Sequence, residues 1–275
     1  MQWYGGKWEM ADWLASLLPR DAQTFVMPFG GAGSPLWHVE PYPVEVYNDL
    51  DGELVNFFRQ CRDNGDELAR RLELTPFARS EFESCKALDA TDPIERARQF
   101  AYVARASHGG RWGSSWSRAI GHSRRGMSSS VSRFLHMPET VVQVASRLKT
   151  VQIESMDAVE LIREYDRPET LFYLDPPYVA KTRNGADVYR CEMTDAQHAE
   201  LLATLKQCKG RWLLSGYANE LYDTALAGYE RIEREVSCRS NITAKGASSK
   251  PTRTEIAWAS YSTTTARNAN STEAA

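Results

Sequence analysis

Apolar positions along the chain switch between two spacings, and the order of the switches predicts an α/β protein. "TFVMP" (Thr24–Pro28) is an apolar run that stops at a glycine-rich turn, and "VEVYND" (Val44–Asp49) is another short run; both read as strands. Leu54, Phe57, Phe58 and Cys61 then fall at helical spacing within Glu53–Arg62, and Glu67–Leu88 and Pro93–Ser107 also read as helices. Periodicity vanishes over Ser107–Ser130, "SHGGRWGSSWSRAIGHSRRGMSSS", which is too long for an ordinary connection in a compact domain. Helix returns at Pro138–Lys149, strand at "VQIES", helix at Asp157–Tyr165, strand at 170–174, helix at Asp195–Cys208 and strand at "RWLLS". "YERIEREV" and "EIAWASY" are two more strands around a polar, basic loop, and the small, polar tail is expected to be disordered. The pattern predicts a mostly parallel sheet closed by a strand pair, with a helical insertion between its second and third strands.

Composition adds little until charge is placed along the chain. A length of 275 residues allows one large domain carrying an insertion. No apolar run reaches the ~18–20 residues that span a bilayer, and "MQWYGGKWEM" lacks the pattern of a signal peptide. Five scattered cysteines, without a CxxC pair or metal-ligand spacing, point to a reduced cytoplasmic protein with no structural metal. The net charge is −3, yet Ala97–Pro138 contains no Asp or Glu and seven arginines: Arg98, Arg105, Arg111, Arg118, Arg124, Arg125 and Arg133. An acidic chain with one basic segment keeps one face for a polyanion.

Three short motifs carry candidate chemistry. In "LFYLDPPYVA" (Leu171–Ala180) a buried-type strand stops at Asp175, because Pro176 and Pro177 cannot continue a ladder. Ligands of open α/β sheets sit beyond such strand ends, where an acid and an aromatic on a stiff turn can hold a flat, hydrogen-bonding substrate. "PFGGAGS" (Pro28–Ser34) lets backbone approach a ligand closely, although it is neither the full GxGxxG fingerprint nor a Walker loop. Asp49 follows about 20 residues later, where an acid reaches the ribose hydroxyls of an adenosine-containing cofactor. "WYGGK" (Trp3–Lys7) is unusually rich for a chain terminus; its plain alternative is an aromatic anchor in the core.

WYGGK, PFGGAGS, NDLDGELVNFFR and DPPY, in this order and spacing, resemble the Dam-type, alpha-group DNA adenine-N6 methyltransferases, and the small phage- or prophage-borne members in particular. The likeness runs from Trp3 to about Ser260. It implies a Rossmann-like methyltransferase sheet and S-adenosylmethionine as cofactor. It further implies that residues 1–58 and 150–262 form the catalytic domain, 59–149 a target-recognition insertion and 263–275 a disordered tail. By the same resemblance, Trp3, Tyr4 and Lys7 line the methionine end of the cofactor, with Lys7 also near the Asp-Pro-Pro-Tyr turn. Pro28, Phe29, Gly30 and Gly33 form the cofactor loop, Asp49 is the ribose acid, and Met156 and Asp157 flank the adenine. Asp175, which also borders the cofactor, Pro176, Pro177 and Tyr178 are the catalytic turn.

That turn suits the reaction. The lone pair of the adenine N6 amine is delocalised into the ring, so transfer requires the nitrogen to pyramidalise. Asp175 accepts one N6–H and the Pro176 carbonyl the other, stabilising the positive charge that develops. Tyr178 offers a π-face worth ~1–3 kcal/mol to a stacked base. The base must leave its duplex, and the arginine segment supplies compensating phosphate contacts. Arg105, His108, Arg111, Trp112, Trp116, Arg118, Arg124 and Arg125 are the candidates for double-stranded DNA; the alternative is a solvated basic face over packed tryptophans. Arg111–Arg118 are expected to read bases and Arg124 and Arg125 to hold phosphate. The expected protein is a monomer, or a dimer on DNA, working at the nucleoid without membrane or metal. An RNA amine methyltransferase and a catalytically silent binding protein on the same fold are the alternatives; the aspartate of DPPY, where cytosine-N4 enzymes usually carry serine, favours adenine.

Overall fold

Strand alternation splits the apolar residues of this chain into two layers. The computed structural model describes residues 7, 10–108, 112–121, 123–182, 190–237 and 252–264. Its strands are β1 (Thr24–Met27), β2 (Val44–Asn48), the two-residue strands β3 (Ser123–Arg124) and β4 (Met127–Ser128), β5 (Val151–Glu154), β6 (Thr170–Leu174), β7 (Arg211–Gly216), β8 (Glu230–Ser237) and β9 (Thr252–Ala259). Its helices are α1 (Ala11–Leu17), α2 (Gly52–Glu73), α3 (Arg79–Cys85), α4 (Pro93–Ala106), α5 (Ser129–Phe134), α6 (Met137–Leu148), α7 (Ala158–Tyr165), α8 (Asp195–Leu205) and α9 (Glu220–Ala225).

Seven strands form one sheet in the order β5-β2-β1-β6-β7-β9-β8. The first five run parallel, and β9 is antiparallel to both β7 and β8. This is the Rossmann-like sheet with a closing antiparallel strand that the motifs implied. Phe25, Met27, Leu171, Tyr173, Leu213 and Ala257 face a layer built from α1, α2, α4 and α6. Their neighbours Val26, Phe172, Leu174, Leu214 and Ile256 face α7, α8 and α9. Each Val, Leu, Ile, Phe or Met among them contributes ~1.5–3 kcal/mol when fully buried, so both layers are well supplied.

Helices α2–α6 lie between β2 and β5, where the insertion was expected. Two features differ from the periodicity. α2 runs through to Glu73 with only a kink at Asn64 (φ −136°, ψ 33°), and the chain breaks instead around Pro76, before α3. Asn64 and Gly65 are poor helix formers, but Gly65 lets α6 approach: a Cβ there would stand 3.2 Å from that of Ala145. The aperiodic stretch also contains structure, because β3 and β4 pair as a hairpin. Its two loop residues, Arg125 (φ 55°) and Gly126 (φ 74°), have the positive φ that a type I′ turn requires. At the other end of the chain, Thr263 is buried and its amide donates to Glu230 at 2.8 Å, so the ordered fold reaches into the expected tail. Residues 265–275 lie outside the described residues. No described helix is long and apolar enough to cross a membrane.

Candidate active site

The strand order reverses at β1, which has β2 on one side and β6 on the other. A crevice beyond the carboxyl ends of such strands is the expected ligand site. A cavity does open there, lined among others by Phe29, Gly30, Asp49, Met156, Asp157 and Asp175.

The glycine turn after β1 is held from β2. A Cβ on Gly30 would lie 2.2 Å from the Tyr47 ring, so only glycine fits. The Gly30 amide donates to the Asn48 carbonyl at 2.7 Å, and the Tyr47 hydroxyl donates to the Gly31 carbonyl at 2.7 Å. Gly33 closes the turn with φ 68°, in the left-handed region that glycine adopts without strain. Asp49 accepts from the amides of Gly31 and Asp51, each at 2.8 Å. Burial pushes its carboxyl up to about 6 despite these hydrogen bonds, which pull the other way. Asn48 is fully buried and joins three strand ends, its amide donating to Pro28 and Met156 carbonyls while its oxygen accepts from the Met156 amide. Met156 and Asp157 line the cavity from β5's end, and Asp157 also caps α7 through the amides of Val159 and Glu160.

Across the cavity stands the turn after β6. The Lys7 ammonium lies 2.9 Å from Asp175 Oδ1 and 3.4 Å from Glu255 Oε1. Ser215, on β7, donates to the same Asp175 oxygen at 3.0 Å. The Tyr178 hydroxyl donates to Glu255, Lys7 sits 4.4 Å from the centre of the Tyr178 ring, and Tyr217 meets that ring edge-on at 4.6 Å. Pro177 lines the cavity with Asp175, while Tyr178 is buried. Trp3 and Tyr4 lie outside the described residues.

The family model of the D12 class N6 adenine-specific DNA methyltransferase matches residues 3–239. The chain belongs to this family. The enzyme is similar to the Type II methyltransferase M1.LlaDCHI of Lactococcus lactis subsp. cremoris, 25% identical over 198 residues that cover 67% of either chain. It is also similar to the Type II methyltransferase M.CviBI of Paramecium bursaria Chlorella virus NC1A, 22% identical over 253 residues, 88% of this chain and 91% of the relative. It is thus a DNA adenine methyltransferase.

The basic segment of this enzyme is divided between fold and surface. Arg98 is buried and bridges Glu81 and Glu95 at 2.7 and 2.6 Å. Arg105, expected at the DNA, turns inward and donates twice to the Arg133 carbonyl, at 3.1 and 2.6 Å. Burial, and secondarily Arg133, push its guanidinium down to about 10. Trp112 and Trp116, also candidates for the DNA, are half-buried: Trp112 stacks on Phe100 at 4.7 Å, and Trp116 meets Phe77 at 5.5 Å. His108, Arg118, Arg124 and Arg125 are exposed, the last two on the β3–β4 hairpin. Arg111 lies outside the described residues.

Several side chains at the site escaped the motif reading. Arg190 pairs with Asp51 at 2.7 Å and lies over the Trp112 ring at 4.9 Å, connecting the cavity rim to the insertion. Asn48, Ser215 and Glu255 are the others. Asn48 stood inside NDLDGELVNFFR without a role of its own, and Glu255 showed itself as the acid that leads the apolar run "IAWA".

Proposed function

We propose that the enzyme transfers the methyl group of S-adenosylmethionine to N6 of an adenine turned out of double-stranded DNA at a specific sequence. The observation that carries this reading is the meeting of two strand ends in one cavity, with the glycine turn and Asp49 on one side and Lys7 and Asp175 on the other. The residues fit the cofactor: Asp49 can accept ribose hydroxyls, and Gly31, whose Cβ would meet nothing within 4 Å, leaves its backbone open to a ligand. Leu50 and Met156 supply apolar surface for an adenine ring. When bound, the cofactor supplies an electrophilic methyl group on a sulfonium. The chain's own part is to align and stabilise. Asp175 accepts a hydrogen bond from one N6–H, the Pro176 carbonyl accepts one from the other on a turn stiffened by two prolines, and Tyr178 bounds the base.

Residues 1–58 and 150–262 hold cofactor and base in this reading, and 59–149 contact the target. Both relatives are Type II methyltransferases, which supports methylation at a defined site. The test is to incubate the enzyme with methyl-labelled cofactor and either unmethylated DNA or RNA, digest, and identify the nucleoside. N6-methyladenosine in its deoxy form is expected, at one sequence when the DNA is read for methylation. Label in RNA alone, or in cytosine, would overturn the proposal.

Two further results are expected. Because the Asp49 carboxyl is raised to about 6, cofactor affinity should rise with pH up to that value and level off above it. Affinity at pH 5 should be about tenfold weaker than at pH 7, and Asp49→Asn should remove the dependence. Calorimetry at both pH values checks this; a flat profile in the unsubstituted enzyme removes Asp49 from the ribose role.

The second concerns Arg124 and Arg125, which stand exposed at a tight hairpin turn, Arg125 within it. Log affinity should fall with log salt concentration by ~0.9 for each phosphate held. Alanine at either position should weaken cognate and scrambled duplexes alike and reduce that slope by about one unit. Unchanged slope in both variants assigns the hairpin no phosphate contact.

A further inference from the structure

Glu255 has no part in the reaction as described so far, yet it is the most enclosed charge near the Asp-Pro-Pro-Tyr turn. Its side chain is 2% exposed, against 7% for Lys7 and 19% for Asp175. Alternation along β9 places it on the same sheet face as Ala257 and Ala259, opposite Ile256 and Trp258. One oxygen of Glu255 receives both the Lys7 ammonium and the Tyr178 hydroxyl, so a single carboxylate holds a partner of Asp175 and the aromatic of the same turn.

We propose that Glu255 is a positioning residue for methyl transfer, dividing the Lys7 charge between two acids so that Asp175 remains a charged acceptor for the substrate amine. The inference rests on the reaction proposed above. Lys7 and Ser215 converge on Oδ1 of Asp175, which assigns Oδ2 to the N6–H. The trio of Lys7, Asp175 and Glu255 carries one net negative charge with both acids ionised. That is the charge suited to a nitrogen that becomes positive in the transition state. Without the Glu255 charge, Lys7 neutralises Asp175 alone, and the acceptor weakens just when it is needed. The Tyr178 hydroxyl, buried against Glu255, would also lose its acceptor in any variant that cannot accept a hydrogen bond.

Glu255→Gln separates these effects, since the amide oxygen still accepts from Tyr178 while the charge is gone. Steady-state kinetics on DNA that the unsubstituted enzyme methylates should show kcat lower by about 10²-fold. KM for cofactor and for DNA should stay within about twofold, because the charge acts in the transition state alone. The thermal midpoint should remain close to that of the unsubstituted enzyme. Glu255→Ala should add a fall in the midpoint by removing the hydrogen bond from the Tyr178 hydroxyl. Unchanged kcat in Glu255→Gln overturns the proposal, and so does a loss of kcat accompanied by equal losses in stability and cofactor affinity, which would make Glu255 a fold residue. If the unsubstituted enzyme transfers no methyl group to adenine, it is the reaction itself that fails, a result distinct from either.

Discussion

Asp175→Ala is expected to lower kcat by at least about 10²–10³-fold while cofactor and DNA still bind. The argument is electrostatic. An amine whose lone pair is tied into a ring attacks only as the nitrogen pyramidalises and takes on positive charge, and Asp175 is the acid that the turn after β6 presents to the cavity. Its other contacts, Lys7 and Ser215, hold it in place. Folding should survive the change, because Lys7 keeps Glu255 as a counter-charge 3.4 Å away. Asp175→Asn should retain more activity than alanine, since an amide oxygen accepts a hydrogen bond without contributing charge. Single-turnover rates, with binding measured separately, check both variants. A near-normal rate in Asp175→Ala would remove the acid from the chemistry.

The parts of this site that a reader of the sequence can find are those made by consecutive residues. A strand followed by glycines, or by an acid and two prolines, declares its turn through local backbone chemistry, and Asp49 follows from a strand length. Ser215 and Glu255 reach Asp175 and Tyr178 only through the pairing of β6, β7 and β9, which no local pattern encodes. Arg105 shows the converse problem. Composition counts a guanidinium as basic whether it meets a phosphate or, as here, a backbone carbonyl. The packing of Trp112 and Trp116 is hidden for a related reason: an aperiodic, glycine-rich stretch looks like free loop, but Phe77 and Phe100 on neighbouring segments offer it a surface to pack on. The kink at Asn64 was legible as a weak point and not as a continuous helix, because the packing of α6 against Gly65 decides which it becomes.

An ion pair fastens the insertion's last helix to the sheet, and breaking it should be strongly destabilising. Glu45, on β2, is 1% exposed, and the Arg147 guanidinium on α6 grips both its oxygens, one at 2.6 Å. The Tyr42 amide adds a third hydrogen bond at 3.1 Å. Arg147→Ala leaves the carboxylate enclosed with that amide alone, and loss of one partner from a buried pair costs about 3–5 kcal/mol. The double substitution Glu45→Gln, Arg147→Met should cost much less, because the unpaired charge disappears together with its desolvation penalty. Chemical denaturation of the three proteins gives the comparison, with the single variant the least stable. β2 leads directly into Asn48 and Asp49, so the same pair steadies the strand that carries the proposed ribose acid while it anchors α6. Cofactor affinity in Arg147→Ala, measured at a temperature where the variant is folded, should therefore fall more than in the double variant. Equal stabilities for the single and double variants would show that the pair contributes through packing of its stems and not through charge.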